Sequence, residues 1–337
     1  MEKTDKTYTA WGIDDGVHEA QTQNLKPMLT PDEQVALLKA KGVTFERCDE
    51  AKAIEALSSR DTFLHIAAFR KMFQRHADGD NAGKYVSLDF ADLLDMDELD
   101  AEVRSCFLLA SQDVERIVKT RLIERISLMP REDGYGILAD FMQSQVKGYR
   151  VSIERNLRGR IGKHGSADEY TGALIAHYGE AMPIWVFLEV VPFGTLLAFY
   201  LFCASRWDDR AMRMRHSMLT EVKAVRNCCS HGTCLINGLA EGKSSEYETP
   251  HLVIEWLAEH GFKSGKSRRA KMGNRRTQQL VTCLAALDGV RGDASASTIE
   301  ALVRLGGSLS DRAGRYGQEN SFVSYLSFIA KAIDNMG

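Results

Sequence analysis

Apolar residues recur at three- and four-residue spacings along most of the chain, and no stretch of any length alternates with the period of two that a strand requires. The longest regular element covers about 97–129, where Leu99, Val103, Cys106, Ala110, Val114 and Ile117 form one apolar face and Pro130 ends the run. At ~1.5 Å per residue a helix of that length spans about 50 Å, enough to be the backbone of a bundle. Upstream, Thr30-Pro31-Asp32-Glu33 reads as a capping box with proline at the first helical position; Val35 and Leu38 follow on one face and Gly42 supplies a stop. A second helical stretch is predicted over about 49–76, then a loop over 76–85. Residues 130–180 are glycine-rich and less regular, with one short helix expected. Helices over 184–205 and 210–231 are joined by the turn Trp207-Asp208-Asp209, which implies antiparallel packing. Further helices are expected near 250–260, 274–288, 295–305 and 320–334, the last burying Phe322, Tyr325, Phe328, Ile329 and Ile333. The expectation is an all-α fold without internal repeats.

Composition sharpens this picture. The chain has 337 residues, 44% hydrophobic and 26% charged, a balance that excludes a wholly disordered or collagen-like chain. Six prolines suit long helices. The longest apolar run, Met182 to Cys203, is broken by Glu189, Pro192 and Gly194, so no membrane-spanning helix is predicted. Residues 1–24 read as a loose polar tail with no secretory signal, and the cytoplasm is the expected location. The seven cysteines are expected as reduced thiols. A net charge of −3 excludes a uniformly basic nucleic-acid binder. Yet no acidic residue lies between Glu259 and Asp288, where Lys263, Lys266, Arg268, Arg269, Lys271, Arg275 and Arg276 cluster. That stretch is either a phosphate-contacting surface or a solvated loop and helix start.

The segment richest in candidate chemistry is Arg226-Asn227-Cys228-Cys229-Ser230-His231, at the end of a predicted helix. A histidine can move a proton to or from a 2′-hydroxyl or a leaving oxygen, and an arginine can hold the extra charge on phosphorus oxygens, with no metal or other cofactor required. Asn227 and His231 are four residues apart and share a helical face, so the amide is placed to orient the imidazole. Arg226 and His231 are five apart and converge only if the helix ends there, which Gly232 permits. The bare spacing is not diagnostic, since Arg60/His65, Arg70/His76, Arg158/His164 and Arg210/His216 share it.

Other readings compete. Cys228, Cys229, His231 and Cys234 are four zinc-ligand types in seven residues, but one helix end cannot easily close a tetrahedron, and buried thiols are favoured. A nucleophilic Cys229 beside His231 lacks a third, orienting residue. Residues 261–267, GFKSGKS, are one residue short of a phosphate-binding loop and follow a helical stretch, not a strand. The Pro183–Tyr200 block reads as core packing around Trp185 and Phe193, with Glu189 a candidate buried acid for an arginine such as Arg226.

Four segments in order carry a family resemblance. They are Lys26-Pro27-Met28-Leu29-Thr30 with Glu33 to Gly42; Val114-Glu115 with Lys119-Thr120-Arg121-Leu122; Pro183-Ile184-Trp185-Val186 with Glu189 and Phe193-Gly194-Thr195-Leu196; and Arg226-Asn227 to His231 with Leu235 and Asn237. Together they resemble the Abi-like (abortive infection, AbiD/AbiF-type) family of phage-defence proteins, which carry a HEPN domain. The chain departs from that pattern at Gly232, where a second histidine is usual, and at Cys234 and Ile236. The resemblance implies a HEPN-type helical bundle that pairs as a homodimer, two Arg/His motifs forming a composite cleft that cuts RNA without metal and leaves 2′,3′-cyclic phosphate. Arg226, His231 and Asn227 would be its catalytic residues. The alternative is a non-catalytic RNA-binding or RNA-sensing module of a defence or toxin–antitoxin system. On this reading residues 25–95 form an N-terminal segment, 96–240 the HEPN-like core, and 241–337 a helical extension packed on it.

Overall fold

In the computed structural model the described residues are 27–161, 168–179, 181–239, 246–317 and 320–336. The tail expected over residues 1–24 lies outside them. They form fifteen α-helices and two short 3-10 turns; the described residues contain no strand, only isolated bridges between Thr44 and Asp89 and between Arg75 and Tyr85. The architecture is an all-α bundle.

Helix α1, Pro31–Ala40, starts where its capping box predicts: Thr30 Oγ1 accepts the Glu33 N–H and the Glu33 carboxylate accepts the Thr30 N–H. The stretch expected as one helix over 49–76 is broken. Helix α2, Glu50–Ser59, ends at Arg60, Thr62 caps a new short helix α3, Phe63–Ile66, and a 3-10 turn covers Ala67–Met72. Arg60 leaves the helix to bond Asp97 and the Leu94 carbonyl, while the Asp61 carboxylate accepts the Thr62 N–H. Local side-chain bonds of this kind compete with helical continuation.

Helix α4, Phe90–Leu128, is longer than its periodicity suggested. Its start is a second capping box, Asp89 with Asp92, and Phe90, Leu93 and Met96 extend the buried face. At ~1.5 Å per residue it spans about 58 Å. Phe107 and Val118 are fully buried, whereas Cys106 and Ile117 are half-buried, because neighbours cover α4 on more than one side.

Residues 130–180 hold three helices rather than one: α5, Gly136–Ser144; α6, Lys147–Gly159; and α7, Gly172–Tyr178. Each is short, seven to thirteen residues, and tertiary burial of Ile137, Phe141, Ile153 and Ile175 compensates for the weak stability of short helices. The predicted helix over 184–205 is split at Val191-Pro192 into α8, Ile184–Val190, and α9, Phe193–Arg206. Proline has no N–H to continue the ladder and forces Val191 into extended backbone. Phe193 is buried as expected. Trp185 is not: its side chain is 45% exposed, lying edge-on to Tyr135 beside Gly134.

After the turn at Asp208, where φ is +47°, Asp209 caps α10, Arg210–Ser230, which packs back on α9. Then follow α11, His251–Glu259; α12, Lys266–Gly273; α13, Arg275–Asp288; α14, Ala296–Arg315; and α15, Ser321–Asp334. Helix α14 continues ten residues past its predicted end, straight through Gly306-Gly307. A β-carbon at Gly306 would sit 2.8 Å from Asp334 Oδ1, so this glycine permits a close α14–α15 approach and does not terminate the helix. Helix α4 is the spine: α10, α13 and α14 all pack against it, and α10 contacts α9 and α13.

Candidate active site

The Arg226–His231 motif occupies the last turn of α10. His231 is its C-cap, with its backbone N–H donating to the Asn227 carbonyl at 3.0 Å, and its side chain is exposed. Gly232 follows with φ +65°, a left-handed residue that ends the helix and turns the chain. Arg226 is half-buried. Its Nε lies 3.5 Å from Glu115 Oε2 on α4, and its Nη1 donates to Asn227 Oδ1 at 3.3 Å. The Asn227 amide therefore holds the arginine, and its tie to His231 is through the backbone. Burial pushes the Glu115 pKa above the ordinary glutamate range; Arg226 and Lys119 pull the other way but do not overcome it. An acid raised by folding favours the fold most at low pH, and that contribution is lost as pH rises through the folded-state value. Glu115→Gln is expected to remove this component from the stability–pH profile just above the glutamate range. Urea unfolding across pH 4–7 measures it; an unchanged slope would refute the assignment.

The expected pairing of Glu189 with Arg226 is not found. Glu189 is 61% exposed and binds Lys119 Nζ at 2.6 Å, because the break at Pro192 ends α8 just beyond it. Segments far apart in sequence nonetheless converge on α4: Glu115 takes the arginine of α10, and Lys119 takes the glutamate of α8.

The loop after His231 is anchored on the other side of the motif. Asp100 on α4 is fully buried, and its Oδ1 accepts the N–H groups of Leu235 and Ile236 at 2.7 and 2.8 Å. Its Oδ2 accepts Arg104 Nε at 2.7 Å. That bond turns the Arg104 guanidinium toward the motif: Nη1 would stand 3.6 Å from a β-carbon at Gly232. Where the family pattern has a second histidine, this chain has a left-handed glycine with an arginine alongside. A cavity of about 820 Å³ opens beside Arg104, lined also by Arg60, Asp97, Glu102 and Arg304. Asp100, Arg104 and Glu115 were not singled out from sequence as site residues. Asp100 and Arg104 offered only an i, i+4 acid–base pair on a long helix, which is common on surfaces, and Glu115 stood in the family resemblance without a role.

The basic stretch divides in two. Lys263, Lys266 and Arg269 are exposed, around the start of α12. Arg268 donates to the Phe262 carbonyl, Lys271 bonds Ser324 and lies over the Tyr325 ring, and Arg275 pairs with Glu221 over Tyr247. Arg276 donates from Nη1 to the carbonyls of Cys234 and Leu235 at 2.7 and 3.1 Å, clamping the same loop that Asp100 holds by its N–H groups. Arg276→Ala should cost about 1–3 kcal/mol of stability through the two stranded carbonyls. A loss below 0.5 kcal/mol in denaturant titration, about the level of ordinary surface changes, would show that the clamp contributes little.

All seven cysteines are free thiols, four of them buried. The zinc set Cys228, Cys229, His231 and Cys234 is not assembled: the Cys228 thiol donates to the Thr233 carbonyl and Cys229 is buried in the core. Residues 261–267 follow a helix, α11, as expected.

Among the described residues no helix is long and apolar enough to cross a membrane. No curated protein and no solved structure matches the chain at a significant level. A model of the Abi-like protein family matches residues 57–237, more than half of the chain, and takes in α4, α8, α9, α10 and the motif loop. With these segments in order and meeting on one helix, the chain belongs to the Abi-like protein family.

Proposed function

We propose that the protein acts in phage defence as a metal-independent endoribonuclease built on a HEPN-type core, spanning about residues 96–240. The observation that carries this reading is the C-terminus of α10. An exposed histidine sits at the cap, an arginine held by the half-buried Glu115 lies about one turn back, and Arg104 stands beside Gly232. In the proposed reaction a base removes the proton of a ribose 2′-hydroxyl, whose oxygen attacks phosphorus. The P–O5′ bond breaks, the leaving oxygen takes a proton, and 2′,3′-cyclic phosphate and 5′-hydroxyl ends result. His231 serves as base or acid, and Arg226, with Arg104 as a further cation, neutralises the charge on the phosphorane oxygens. Asn227 positions Arg226 through its side chain. A homodimer with two such motifs across a shared groove would concentrate basic groups despite the net charge of −3.

A second reading, RNA binding without cleavage, draws on the exposed Lys263, Lys266 and Arg269 in a stretch free of acidic residues. Induced expression separates the two. Cleavage predicts growth arrest and new 2′,3′-cyclic phosphate ends in cellular RNA with the wild type and neither with His231→Ala. Binding alone predicts no new ends, equal behaviour of His231→Ala and wild type, and loss of effect on changing Lys263, Lys266 and Arg269 to glutamate.

A further inference from the structure

Away from the motif's own side chains, α3, α4 and the loop after α10 bring three different ligand types to one place. His65 Nε2, an Asp100 carboxylate oxygen and Cys234 Sγ all lie within 4.8 Å of one another. His65 is 9% exposed, and its Nε2 is completely enclosed without a hydrogen bond, 3.5 Å from Asp97 Oδ1 and 3.7 Å from Asp100 Oδ2. No hydrogen bond satisfies this enclosed nitrogen, and the carboxylates beside it favour a positive charge there, whether a proton or a metal ion. The charge count is compatible with this: Asp61, Asp97 and Asp100 face the guanidiniums of Arg60, shared with Glu98, and of Arg104, so a further positive charge, on a metal ion or as a proton on His65, balances the cluster.

We infer that His65, Asp100 and Cys234 form a zinc-class metal site that fastens the motif loop to α3 and α4. Separate segments supply the ligands, as structural zinc sites usually have them, which the Cys228–Cys234 run could not provide. The mixed nitrogen, oxygen and sulfur set suits Zn²⁺ better than a hard cation. The outer contacts have the expected form. His65 Nδ1 faces the Asp61 carboxylate at 3.6 Å, which fixes the tautomer with Nε2 free to coordinate, and Arg104 orients the Asp100 oxygen. Ligand atoms around a tetrahedral ion lie about 3.3–3.8 Å apart, so closure needs up to about 1.5 Å of movement. Cys234, on a loop, can supply it. Binding displaces the thiol proton to solvent and leaves a thiolate on the metal. Asp97 is the nearest additional carboxylate to Nε2. Its three ligands, His65, Asp100 and Cys234, have no part in the ribonuclease reading, and metal binding is measured without reference to cleavage.

The test is Co²⁺ titration of the full-length, chelator-stripped protein under reducing conditions. About one Co²⁺ per chain with a thiolate-to-cobalt charge-transfer band is expected, the band being lost in Cys234→Ser and kept in Cys228→Ser, and displaced by Zn²⁺. No thiolate band, or one that survives Cys234→Ser, overturns the site. A protein that binds no metal leaves a protonated His65 as the only counter-charge and likewise overturns it. Should Cys234→Ser fail to fold, X-ray absorption of the Zn²⁺-loaded wild type decides: a single sulfur at about 2.3 Å with nitrogen or oxygen neighbours supports it, whereas no sulfur or several refute it.

Discussion

His231→Ala should slow RNA cleavage by about 10²–10⁴-fold, the usual contribution of a positioned proton-transfer group. The fold should be unaffected, since the ring is exposed at the end of α10 and its cap bonds are made by the backbone. Arg226→Ala should cost about 10²–10³-fold by a different route, the loss of charge stabilisation on the phosphorane. Arg226→Lys should recover little of this. A point charge cannot keep both the Glu115 contact and the Asn227 bond while presenting a donor to phosphate. Rates are measured on single-turnover cleavage of a labelled RNA, with affinity followed separately by anisotropy. If both variants cut at the wild-type rate, the motif is not the catalytic centre.

The largest stability effect is expected at Asp100. Replacement by alanine strands two buried backbone N–H groups, the Arg104 guanidinium and the surroundings of His65 in one step. Breaking a buried charged network in this way costs about 3–5 kcal/mol, a large share of a domain's total stability. Asp100→Asn keeps an acceptor for the loop N–H groups and should cost clearly less. Urea unfolding in the presence of a chelator isolates this term from any metal contribution. A loss of under 1 kcal/mol in the alanine variant would mean that water re-satisfies the loop, and that Asp100 is not its anchor.

The helices were legible in the sequence where one strong signal dominated. The Thr30 capping box, the long apolar face of α4, the Asp209 turn and the final helix follow from local chemistry, and the structure has them. The errors have different causes. Pro192 splits its apolar run by proline's own backbone chemistry, whereas Gly306 lies within a helix that packs closely on α15, a neighbour the local pattern cannot show. The site was legible as a motif but not as an environment. Arg226 and His231 stood out only through the family resemblance, since their spacing recurs four more times in the chain; of the residues around them, Glu115 lay within that resemblance without a role, and Asp100 and Arg104 were one acid–base pair among many on a long helix. Seven basic residues looked equivalent in sequence. Tertiary contacts withdraw four of them into carbonyl, hydroxyl, ring and carboxylate partners.

The position of α4 has a consequence for the order in which the molecule comes together. The helix is made early, but α10, α13 and α14, which cover it, follow about one hundred residues or more later, and the Glu102–Arg312 pair closes a separation of 210 residues. Such distant contacts make folding slow relative to helical proteins with local pairing. During vectorial synthesis the apolar faces of α4 must wait, unpaired, until α13 and α14 leave the ribosome. A chain stopped after residue 237 carries every motif residue, yet leaves the α13 and α14 sides of the spine bare. Burial of the spine that carries Glu115 and Asp100 is thereby tied to the arrival of α13 and α14.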